Sequence, residues 1–447
     1  MRKITIFILM FCMTILSTSA ETITRTLKTY RINPNTISIS VRDIKTGSIY
    51  YSLNDKMPMT PASTLKLLTS SASFDTLGKY YKFATALYKS TNNDLYLKLG
   101  ADPFLTSGDI ENLFKTAKKK NIREPKHVYV DDNIFDKVEW GEGWQWDDDL
   151  NPLMPKFSAY NLDGNLLNIN LIPQLETPLI EIKPFYPITV MNTVQTVFKT
   201  QNRIKVERNN SIAPNIINIS GILSKPDTIK IPVNNPKLYF KLRLEEAIKN
   251  TKIEYYNPIG YENLPVKNVY RVDVIYHDIN DVMKSILKDS NNLAAETIFK
   301  LAGHKWKNEQ GNIQNSLDML NSYIEKLDLS DNDIKVVDGS GVSKNNIMSA
   351  DFMTKFLMKR INEPDFEIFN DFMASPGEGT LKNRMLYFEN VLKAKTGTLS
   401  DTSAIAGYIK DRKGKIYAFD IMIKDAKTSN ADKKNIEEQI LRQIYMN

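Results

Sequence analysis

Ser63 and Lys66 are the residues of this 447-residue sequence whose types and spacing best suit covalent chemistry. They lie three positions apart, and positions i and i+3 share one face of a helix. A serine hydroxyl is a weak nucleophile until a neighbouring base takes its proton. A lysine amine can be that base when burial or a second cation lowers its pKa. The pair therefore indicates a serine acyl-transfer centre that needs no histidine.

The spacing alone is not specific, because Ser285-Ile-Leu-Lys288 repeats it on a predicted helix surface. Two further polar groups also have rivals. Ser290-Asn-Asn292 is matched in form by Ser343-Lys-Asn345, and Lys395-Thr-Gly-Thr398 is matched in part by Lys45-Thr-Gly47. The order along the chain favours one set: a serine–lysine pair that opens a helix, then a helix-borne serine–asparagine pair, then a lysine on a strand. Together these make a complete acyl-transfer site.

Composition excludes several other kinds of site. The sequence has three histidines, none near another at metal-ligand spacing, and its one cysteine is Cys12. A zinc hydrolase, a thiolate nucleophile and a disulfide framework are therefore not expected. The net charge is +7 and the lysines are scattered, so nucleic-acid binding is not expected, whereas an anionic polymer or a membrane surface would suit this charge.

The first residues have the form of an export signal. Met1-Arg-Lys3 is charged, residues 4–16 are apolar, and small residues end the segment at Ala20. The apolar run is short for a membrane span. We expect residues 1–20 to be a signal peptide cut after Ala20, and an uncleaved N-terminal anchor is the alternative.

The elements that must position these residues follow from the apolar pattern. Alternation over 36–52 around a turn at 45–48 predicts a β-hairpin, and Pro61-Ala-Ser63 opens a predicted helix that continues to Phe74. The middle of the chain is predicted to be β-rich, with strands at 126–131, 165–172, 178–183, 216–222 and 228–232.

The C-terminal part is predicted to be helical first and then β-structured. The predicted helices cover 279–301, 312–327 and 350–361; an antiparallel meander follows over 391–395, 402–410 and 416–423, and a last helix over 431–445. The two ends of the chain are thus alike in pattern. One domain interrupted by a large insertion explains this better than a row of separate domains.

Six motifs, in order, resemble the D-alanyl-D-alanine carboxypeptidase/endopeptidase family of penicillin-recognising serine enzymes (class C low-molecular-mass penicillin-binding proteins, peptidase family S13). They are Met59-Thr-Pro-Ala-Ser-Thr-Leu-Lys66, Gly100-Ala-Asp-Pro-Phe-Leu-Thr106, Ser158-Ala-Tyr-Asn-Leu-Asp-Gly-Asn165, Asp338-Gly-Ser-Gly341, Gly379-Thr-Leu-Lys-Asn-Arg-Met385 and Ala394-Lys-Thr-Gly-Thr398. The gap of roughly 225 residues between Ser63 and Ser290 also fits this family. Ala101 stands where the family usually has glycine.

The resemblance implies an α+β fold. We expect a β-lactamase/transpeptidase-like domain, with an antiparallel sheet between helical layers, and a large β-rich insertion. The expected divisions are residues 21–82 with 275–447 for the serine peptidase domain, 83–160 with 240–274 for an inserted second domain, and 161–239 for a nested β-rich third domain.

The resemblance also implies roles for the site residues. Ser63 attacks the carbonyl of the penultimate D-alanine and Lys66 takes its proton, while Ser290 passes a proton to the leaving amine. Asn292 holds the substrate amide and Lys66; Lys395 lowers the pKa of Lys66 and attracts the terminal carboxylate. The hydroxyls of Thr396 and Thr398 are expected to contact that carboxylate, and the backbone amides of Ser63 and Thr398 to form the oxyanion hole. Gly397 is expected to let the substrate approach the strand.

A tryptophan-rich segment supplies the remaining expected contacts. Trp144 lies among three tryptophans and three aspartates within 140–149. Its aromatic face, with Asp148 or Asp147, could hold the ammonium end of a stem-peptide diamino acid, and Leu399 would line the same pocket. A domain-packing patch beside a solvated acidic turn is the alternative. Asp338-Gly-Ser-Gly341 is interpreted as a tight turn near the site.

The sequence therefore predicts a periplasmic serine D-alanyl-D-alanine carboxypeptidase or D,D-endopeptidase. Peptidoglycan stem peptides are the expected substrates, and β-lactams are expected to be covalent inhibitors. No cofactor and no metal are implied, peripheral membrane association is left open, and the sequence does not determine the oligomeric state. A β-lactamase or esterase on the same fold and a non-catalytic cell-wall binding protein are the alternatives.

Overall fold

A computed structural model describes residues 23–197, 201–208, 213–332 and 334–446 of the chain, without the side chains of Trp146 and Asp147. The predicted signal peptide, residues 1–20, lies outside the described residues. The strands are β1 (Ile37–Asp43), β2 (Ile49–Leu53), β3 (Lys82–Ser90), β4 (Leu95–Lys98), β5 (Val128–Asp131), β6 (Leu166–Ile172), β7 (Leu179–Lys183), β8 (Thr189–Thr196), β9 (Arg203–Arg208), β10 (Ile216–Leu223), β11 (Asp227–Pro232), β12 (Gly260–Tyr261), β13 (Val269–Asp278), β14 (Ile334–Lys335), β15 (Ile347–Met348), β16 (Leu392–Thr398), β17 (Thr402–Lys410) and β18 (Ile416–Lys424).

The helices are α1 (residues 23–29), α2 (Lys66–Leu77), α3 (Ser107–Lys119), α4 (Pro236–Thr251), α5 (Ile279–Lys288), α6 (Asn292–Lys307), α7 (Ile313–Lys326), α8 (Ala350–Arg360), α9 (Phe366–Phe372) and α10 (Asn430–Tyr445). Within the described parts of the chain, no helix is both long enough and apolar enough to span a membrane.

The two ends of the chain share one five-stranded sheet in the order β16-β17-β18-β1-β2. Each neighbouring pair is antiparallel. The predicted N-terminal hairpin and C-terminal meander are therefore confirmed. Pairing β1 with β18 brings segments from opposite ends of the sequence side by side, and β16 forms an edge of the sheet.

Apolar side chains cover both faces of this sheet. Ile405 and Ile409 of β17 belong to a core that also contains Ile436 and Ile440 of α10. Ala406, between them in sequence, belongs to the other core, which is built largely from helices α2 and α5 to α9. The alternation follows from the two-residue period of a strand. The predicted α+β arrangement, an antiparallel sheet between helical layers, is confirmed.

One predicted helix is divided in the structure. The helix expected over 279–301 is instead α5 and α6, separated at Ser290, whose φ is +63°. A left-handed residue cannot continue a right-handed helix. Asn291 then starts the second helix, because its side chain accepts a hydrogen bond from the amide of Ala294. Residues 288–292 are all polar and interrupt the apolar pattern at this break.

Between α2 and α5 the chain builds the insertion, which is β-rich as predicted. It contains a mixed five-stranded sheet (order β12-β5-β4-β3-β13) and two three-stranded sheets (β8-β10-β9 and β11-β6-β7). It also contains two helices, α3 and α4, that the sequence pattern did not predict. A second core of residues between Leu87 and Val272 holds these parts together.

Candidate active site

The turn before α2 places Lys66 over Ser63. Residues Ala62–Leu65 form a short 3₁₀ turn, and Lys66 is the first residue of the α-helix that continues from it. In a 3₁₀ turn, side chains three positions apart lie above one another. Lys66 Nζ accordingly donates a hydrogen bond of 2.9 Å to Ser63 Oγ. Ala62 has a φ of +50°, a conformation that costs energy for a residue with a side chain.

Lys66 is fully buried and has three acceptors. Besides Ser63, its Nζ donates to Asn292 Oδ1 and to the carbonyl oxygen of Ser340, each at 2.6 Å. Burial lowers the pKa of Lys66 to about 7, although the carboxyl groups of Asp338 and Glu296 act in the opposite direction. A lysine with this pKa is available as a neutral base near pH 7.

Lys395 brings a second buried amine to the site from β16. Its Nζ donates 2.9 Å to Ser290 Oγ and 2.7 Å to the carbonyl oxygen of Thr396. Burial, and then the charge of Lys66, lower the pKa of Lys395 well below the usual lysine value. The sequence led us to expect that Lys395 would lower the pKa of Lys66. In the structure burial is the main cause at Lys66.

Asn292 connects Lys66 with the insertion. It is the first residue of α6, and while its Oδ1 accepts from Lys66, its Nδ2 donates 2.7 Å to the carbonyl oxygen of Leu153. Both ends of the amide are thus in use, which fixes its orientation. Ser63, Lys66, Ser290, Asn292 and Lys395, the five predicted catalytic residues, are therefore joined by two sets of hydrogen bonds.

The turn at 338–341 lies directly beside Ser63, the predicted nucleophile. Asp338 Oδ1 accepts 2.7 Å from the amide of Gly341, and the carbonyl of Ser340 faces Lys66 and Ser63. Below the turn, Glu296 accepts hydrogen bonds from the amides of Gly339 (3.0 Å) and Ser340 (2.8 Å). Burial raises the pKa of Glu296 to about 7.

Sequence reasoning missed two parts of this arrangement, Glu296 and the carbonyl of Ser340. A carbonyl oxygen carries no side-chain signal in a sequence. Glu296 does give one signal: it lies four positions after Asn292 in α6, which places it on the same helix face.

Two glycines lie against the turn Ala62–Leu65, here called the nucleophile turn, one on each side of it. A Cβ at Gly341, whose φ is +76°, would lie 2.1 Å from the carbonyl oxygen of Ala62. A Cβ at Gly397 in β16 would lie 2.9 Å from the amide nitrogen of Ser63. We expected Gly397 to make room for a substrate, but its nearest neighbours are residues of the nucleophile turn.

A cavity of about 460 Å³ opens above Ser63. Ser290, Asn292, Thr396, Thr398 and Leu399 line it, together with Trp144 and Asp148 from the insertion. Thr396 Oγ1 donates 2.8 Å to the hydroxyl of Thr380, a residue of the Gly379–Met385 motif. The cavity thus collects predicted contact residues from both ends of the chain and from the insertion.

Trp144 both lines the cavity and packs the insertion against the turn at 338–341. Its ring is buried between Trp140 and Phe157, with ring centroids 5.0 Å and 5.8 Å away. Its Nε1 donates 2.9 Å to Asp338 Oδ2. Asp148 lines the cavity. Asp147 was predicted as an alternative contact, and its side chain is not among those that the structure describes.

Comparisons with known proteins identify the family and the fold of the chain. The chain is similar to the D-alanyl-D-alanine carboxypeptidase of Actinomadura sp. (strain R39), with 25% identity over 86% of this chain and 77% of that protein. Its fold is that of the crystal structure of penicillin binding protein 4 (dacB) from Haemophilus influenzae: the TM-score is 0.83 at 21% identity, over 95% of this chain and 99% of that chain.

The same Haemophilus influenzae protein has also been solved in complex with a novel β-lactam, and this structure matches with a TM-score of 0.75 at 21% identity over 92% and 96% of the two chains. The model of the D-Ala-D-Ala carboxypeptidase 3 (S13) family matches residues 19–444. That match covers the nucleophile turn, the insertion and the β16 strand alike. The chain therefore belongs to the D-Ala-D-Ala carboxypeptidase 3 (S13) family.

Proposed function

We propose that Ser63 forms the acyl-enzyme through which this serine D-alanyl-D-alanine carboxypeptidase or D,D-endopeptidase cleaves peptidoglycan stem peptides. One observation carries the proposal. The amine of Lys66 is 2.9 Å from Ser63 Oγ, and burial lowers its pKa to about 7. A base with this pKa, within hydrogen-bond distance of a serine hydroxyl, meets the requirement for nucleophilic catalysis without histidine.

In the first step, Ser63 Oγ attacks the carbonyl carbon of the penultimate D-alanine while its proton passes to Lys66 Nζ. The carbonyl oxygen becomes an oxyanion, which the backbone amides of Ser63 and Thr398 receive. One such donor is typically worth roughly 3–4 kcal/mol in the transition state. The close approach of Gly397 to Ser63 supports the pairing of these two amides.

The intermediate then collapses and the carbon–nitrogen bond breaks. Ser290 gives its hydroxyl proton to the leaving amine and regains one from Lys395, whose amine is 2.9 Å away. The proton that Lys66 took from Ser63 then replaces the one that Lys395 gave up, so Lys66 is neutral again. A water molecule next attacks the ester carbonyl and gives a proton to Lys66. Lys66 passes this proton to Ser63 Oγ as the bond between Ser63 Oγ and the carbonyl carbon breaks, and the peptide acid departs.

The terminal carboxylate of a carboxypeptidase substrate would be held along β16. Lys395 contributes positive charge, and Thr396 and Thr398 contribute hydroxyls at the cavity wall. The peptide could add to this sheet edge as an extended strand. On the other side of the cavity, Trp144, Leu399 and Asp148 would contact the stem-peptide side chain, with the acid facing its ammonium group.

The proposal extends to the surroundings of the enzyme. We propose that the chain is exported to the periplasm, that β-lactams acylate Ser63, and that nucleic acid is not a partner. We also propose the three-domain division 21–82 with 275–447, 83–160 with 240–274, and 161–239. The shared terminal sheet and the separate core of the insertion support the boundary between the first domain and the insertion. The two three-stranded sheets, whose strands all lie within 161–239, support the third domain.

A labelled penicillin tests the proposed nucleophile. The wild-type protein should form a covalent adduct, whose site peptide mapping by mass spectrometry should locate at Ser63. Ser63→Ala should abolish the adduct. Ser285→Ala is the matched control, because Ser285 and Lys288 share the same spacing. A wild-type protein that forms no adduct would overturn the proposal, and rapid turnover of the antibiotic would instead indicate a β-lactamase.

Purified muropeptides separate the two peptidase activities. Both activities cleave the bond that follows a D-alanine, and they differ in what that D-alanine is joined to. Mass spectrometry of the products should show loss of a single D-alanine from a pentapeptide for the carboxypeptidase. Conversion of a cross-linked dimer into monomers identifies the endopeptidase. If neither substrate changes while penicillin still acylates Ser63, peptidoglycan stem peptides are not the substrate.

A further inference from the structure

Arg208 is a buried cation that the proposed reaction does not use. It ends strand β9, and its side chain is only 1% exposed. Its Nη1 donates 3.0 Å to Asp149 Oδ2. Its Nε and Nη2 have no hydrogen-bond partner among the residues that the structure describes. Because buried donors of a charged group are costly when unsatisfied, two free guanidinium nitrogens indicate a place for an acceptor.

The guanidinium lines a cavity of about 330 Å³ in the insertion. The other charged side chains in the wall are Lys156 and Asp149, so two cations face one carboxylate. Lys156 Nζ donates 2.8 Å to the carbonyl oxygen of Asn234 and lies 3.9 Å from Glu139 Oε2, outside this wall. Trp140 provides an aromatic side. The cavity therefore suits a small anionic group attached to a larger molecule.

This cavity and the catalytic cavity share a wall. Asp149 lines the first and its sequence neighbour Asp148 lines the second. Trp140 likewise lines the Arg208 cavity and Trp144 the catalytic cavity, and their ring centroids are 5.0 Å apart. A ligand that extends out of the catalytic cavity across the 140–149 segment would therefore reach Arg208.

We propose that the Arg208 cavity binds a carboxylate of a peptidoglycan stem peptide at a point remote from the cleaved bond. The proposal rests on the proposed function and adds a second recognition site to it. Stem peptides carry free carboxylates along their length, and a cross-linked pair continues on both sides of the scissile bond. A guanidinium presents two parallel N–H groups to a carboxylate, which is the geometry that Arg208 Nε and Nη2 offer.

Binding to the Ser63→Ala protein tests this site without relying on turnover. A cross-linked muropeptide dimer is titrated into Ser63→Ala and into Ser63→Ala/Arg208→Gln by calorimetry. The second variant should bind roughly 10- to 100-fold more weakly, as expected for the loss of a charge-assisted contact. Lys205→Gln is the control, because Lys205 lies on the same strand with its side chain 68% exposed, and it should leave the affinity unchanged.

A second substrate distinguishes recognition from structural support. With a dimer whose carboxylates are amidated, Arg208→Gln should have no further effect. Equal losses with both dimers would show that Arg208 only holds Asp149, and equal affinities with and without Arg208 would exclude the site. Penicillin acylation of the otherwise wild-type Arg208→Gln protein should match wild type, which reports the catalytic centre separately. Failure of the proposed function would instead appear as a wild-type protein that neither binds nor cleaves either dimer.

Discussion

At the scale of single residues, the chemistry depends on how Lys66 is solvated. Its amine exchanges water for three protein acceptors, namely Ser63 Oγ, Asn292 Oδ1 and the carbonyl of Ser340. None of these three acceptors is a carboxylate. Burial therefore lowers the pKa of Lys66 to about 7 even though Asp338 and Glu296 oppose the shift. A carboxylate in direct contact would have kept the lysine protonated.

The rate of acylation should therefore depend on pH. Lys66 can accept the proton of Ser63 only when its amine is neutral, which holds above its pKa of about 7. The second-order rate constant for penicillin acylation should level off above pH 7 and fall about tenfold per pH unit below it. Stopped-flow measurements from pH 5 to 9 would check this. A flat profile between pH 5 and 8 would contradict the assignment of Lys66 as the base.

Glu296 should shift that profile. Its charge raises the pKa of Lys66, so Glu296→Gln should lower this pKa and move the midpoint of the acylation profile to lower pH. The glutamine oxygen can still accept a hydrogen bond from the 339–340 amides. Glu325→Gln, an exposed change in α7, is the control. An unchanged midpoint together with a uniformly lower rate would show that Glu296 only supports the turn.

The residue types of the site could be predicted, but not the groups that hold them. Ser63, Lys66 and Lys395 were identifiable because their chemistry belongs to side chains with a fixed spacing and order. The carbonyls of Ser340 and Leu153 have equally definite partners. Every residue carries such a carbonyl, so only the fold distinguishes these two from the rest.

At the scale of elements, the nucleophile turn is held in place by its backbone neighbours. The turn at 338–341 approaches it from one side and strand β16 from the other. Both points of contact are glycines, Gly341 and Gly397, so no Cβ atom separates the backbones there. The position of Ser63 Oγ thus depends on how closely three backbone segments pack: its own turn, the turn at 338–341 and strand β16. Because protein interiors are close-packed, a small shift of one segment would move the others.

A methyl group at Gly341 should disturb this packing. Gly341→Ala would place its Cβ 2.1 Å from the carbonyl oxygen of Ala62, in addition to the strain of a φ of +76°. Gly414→Ala has a similar φ, +82°, with no atom within 4 Å, so it isolates the strain, about 1–2 kcal/mol. In urea unfolding, Gly341→Ala should lose more stability than Gly414→Ala, and it alone should lose penicillin acylation. Equal losses would mean that the contact is unimportant.

Most of the elements that were predicted have nearly the observed ends, but the sequence pattern did not predict the strands β3, β4, β8, β9, β12 and β13 of the insertion. The bounds of β17 and β18 follow from two features of the sequence, the apolar pattern of each strand and the turn between Lys410 and Ile416. The break at Ser290 was missed because Leu293 and Ala294 follow Ile286 and Leu287 by seven positions and so keep one helical phase, although residues 288–292 between them are polar. Helices α3 and α4 were missed because proline- and asparagine-rich flanks led us to expect only short strands nearby.

At the scale of the whole molecule, the insertion is hydrogen-bonded to the proposed catalytic residues and to the turn beside them. Leu153 receives a hydrogen bond from Asn292, and Trp144 donates one to Asp338. Further along, Asn161 of the Ser158–Asn165 motif donates 2.9 Å to the hydroxyl of Thr297 in α6. These contacts couple the insertion to the helix and the turn that hold Lys66.

Removing one of these links should affect both stability and catalysis. Trp144→Phe keeps an aromatic ring but removes the donor to Asp338, which should lower the free energy of unfolding by about 1–3 kcal/mol. Penicillin acylation should also slow, because the turn that bears the Ser340 carbonyl loses one of its supports. Trp306→Phe, at a tryptophan that is 43% exposed, is the control. A Trp144→Phe protein with wild-type stability would contradict the coupling.

The contacts of Lys66 also determine when the chain becomes reactive. Asn292 lies 226 positions from it and Ser340 lies 274 positions away, so both partners can meet the lysine only after the chain has been synthesised beyond Ser340 and has folded. Until then the amine is hydrated, with an ordinary pKa of about 10.4, and remains a cation that cannot accept a proton from Ser63. With Lys66 as the proposed base, completion of folding would therefore switch on the reactivity of Ser63 towards acyl donors.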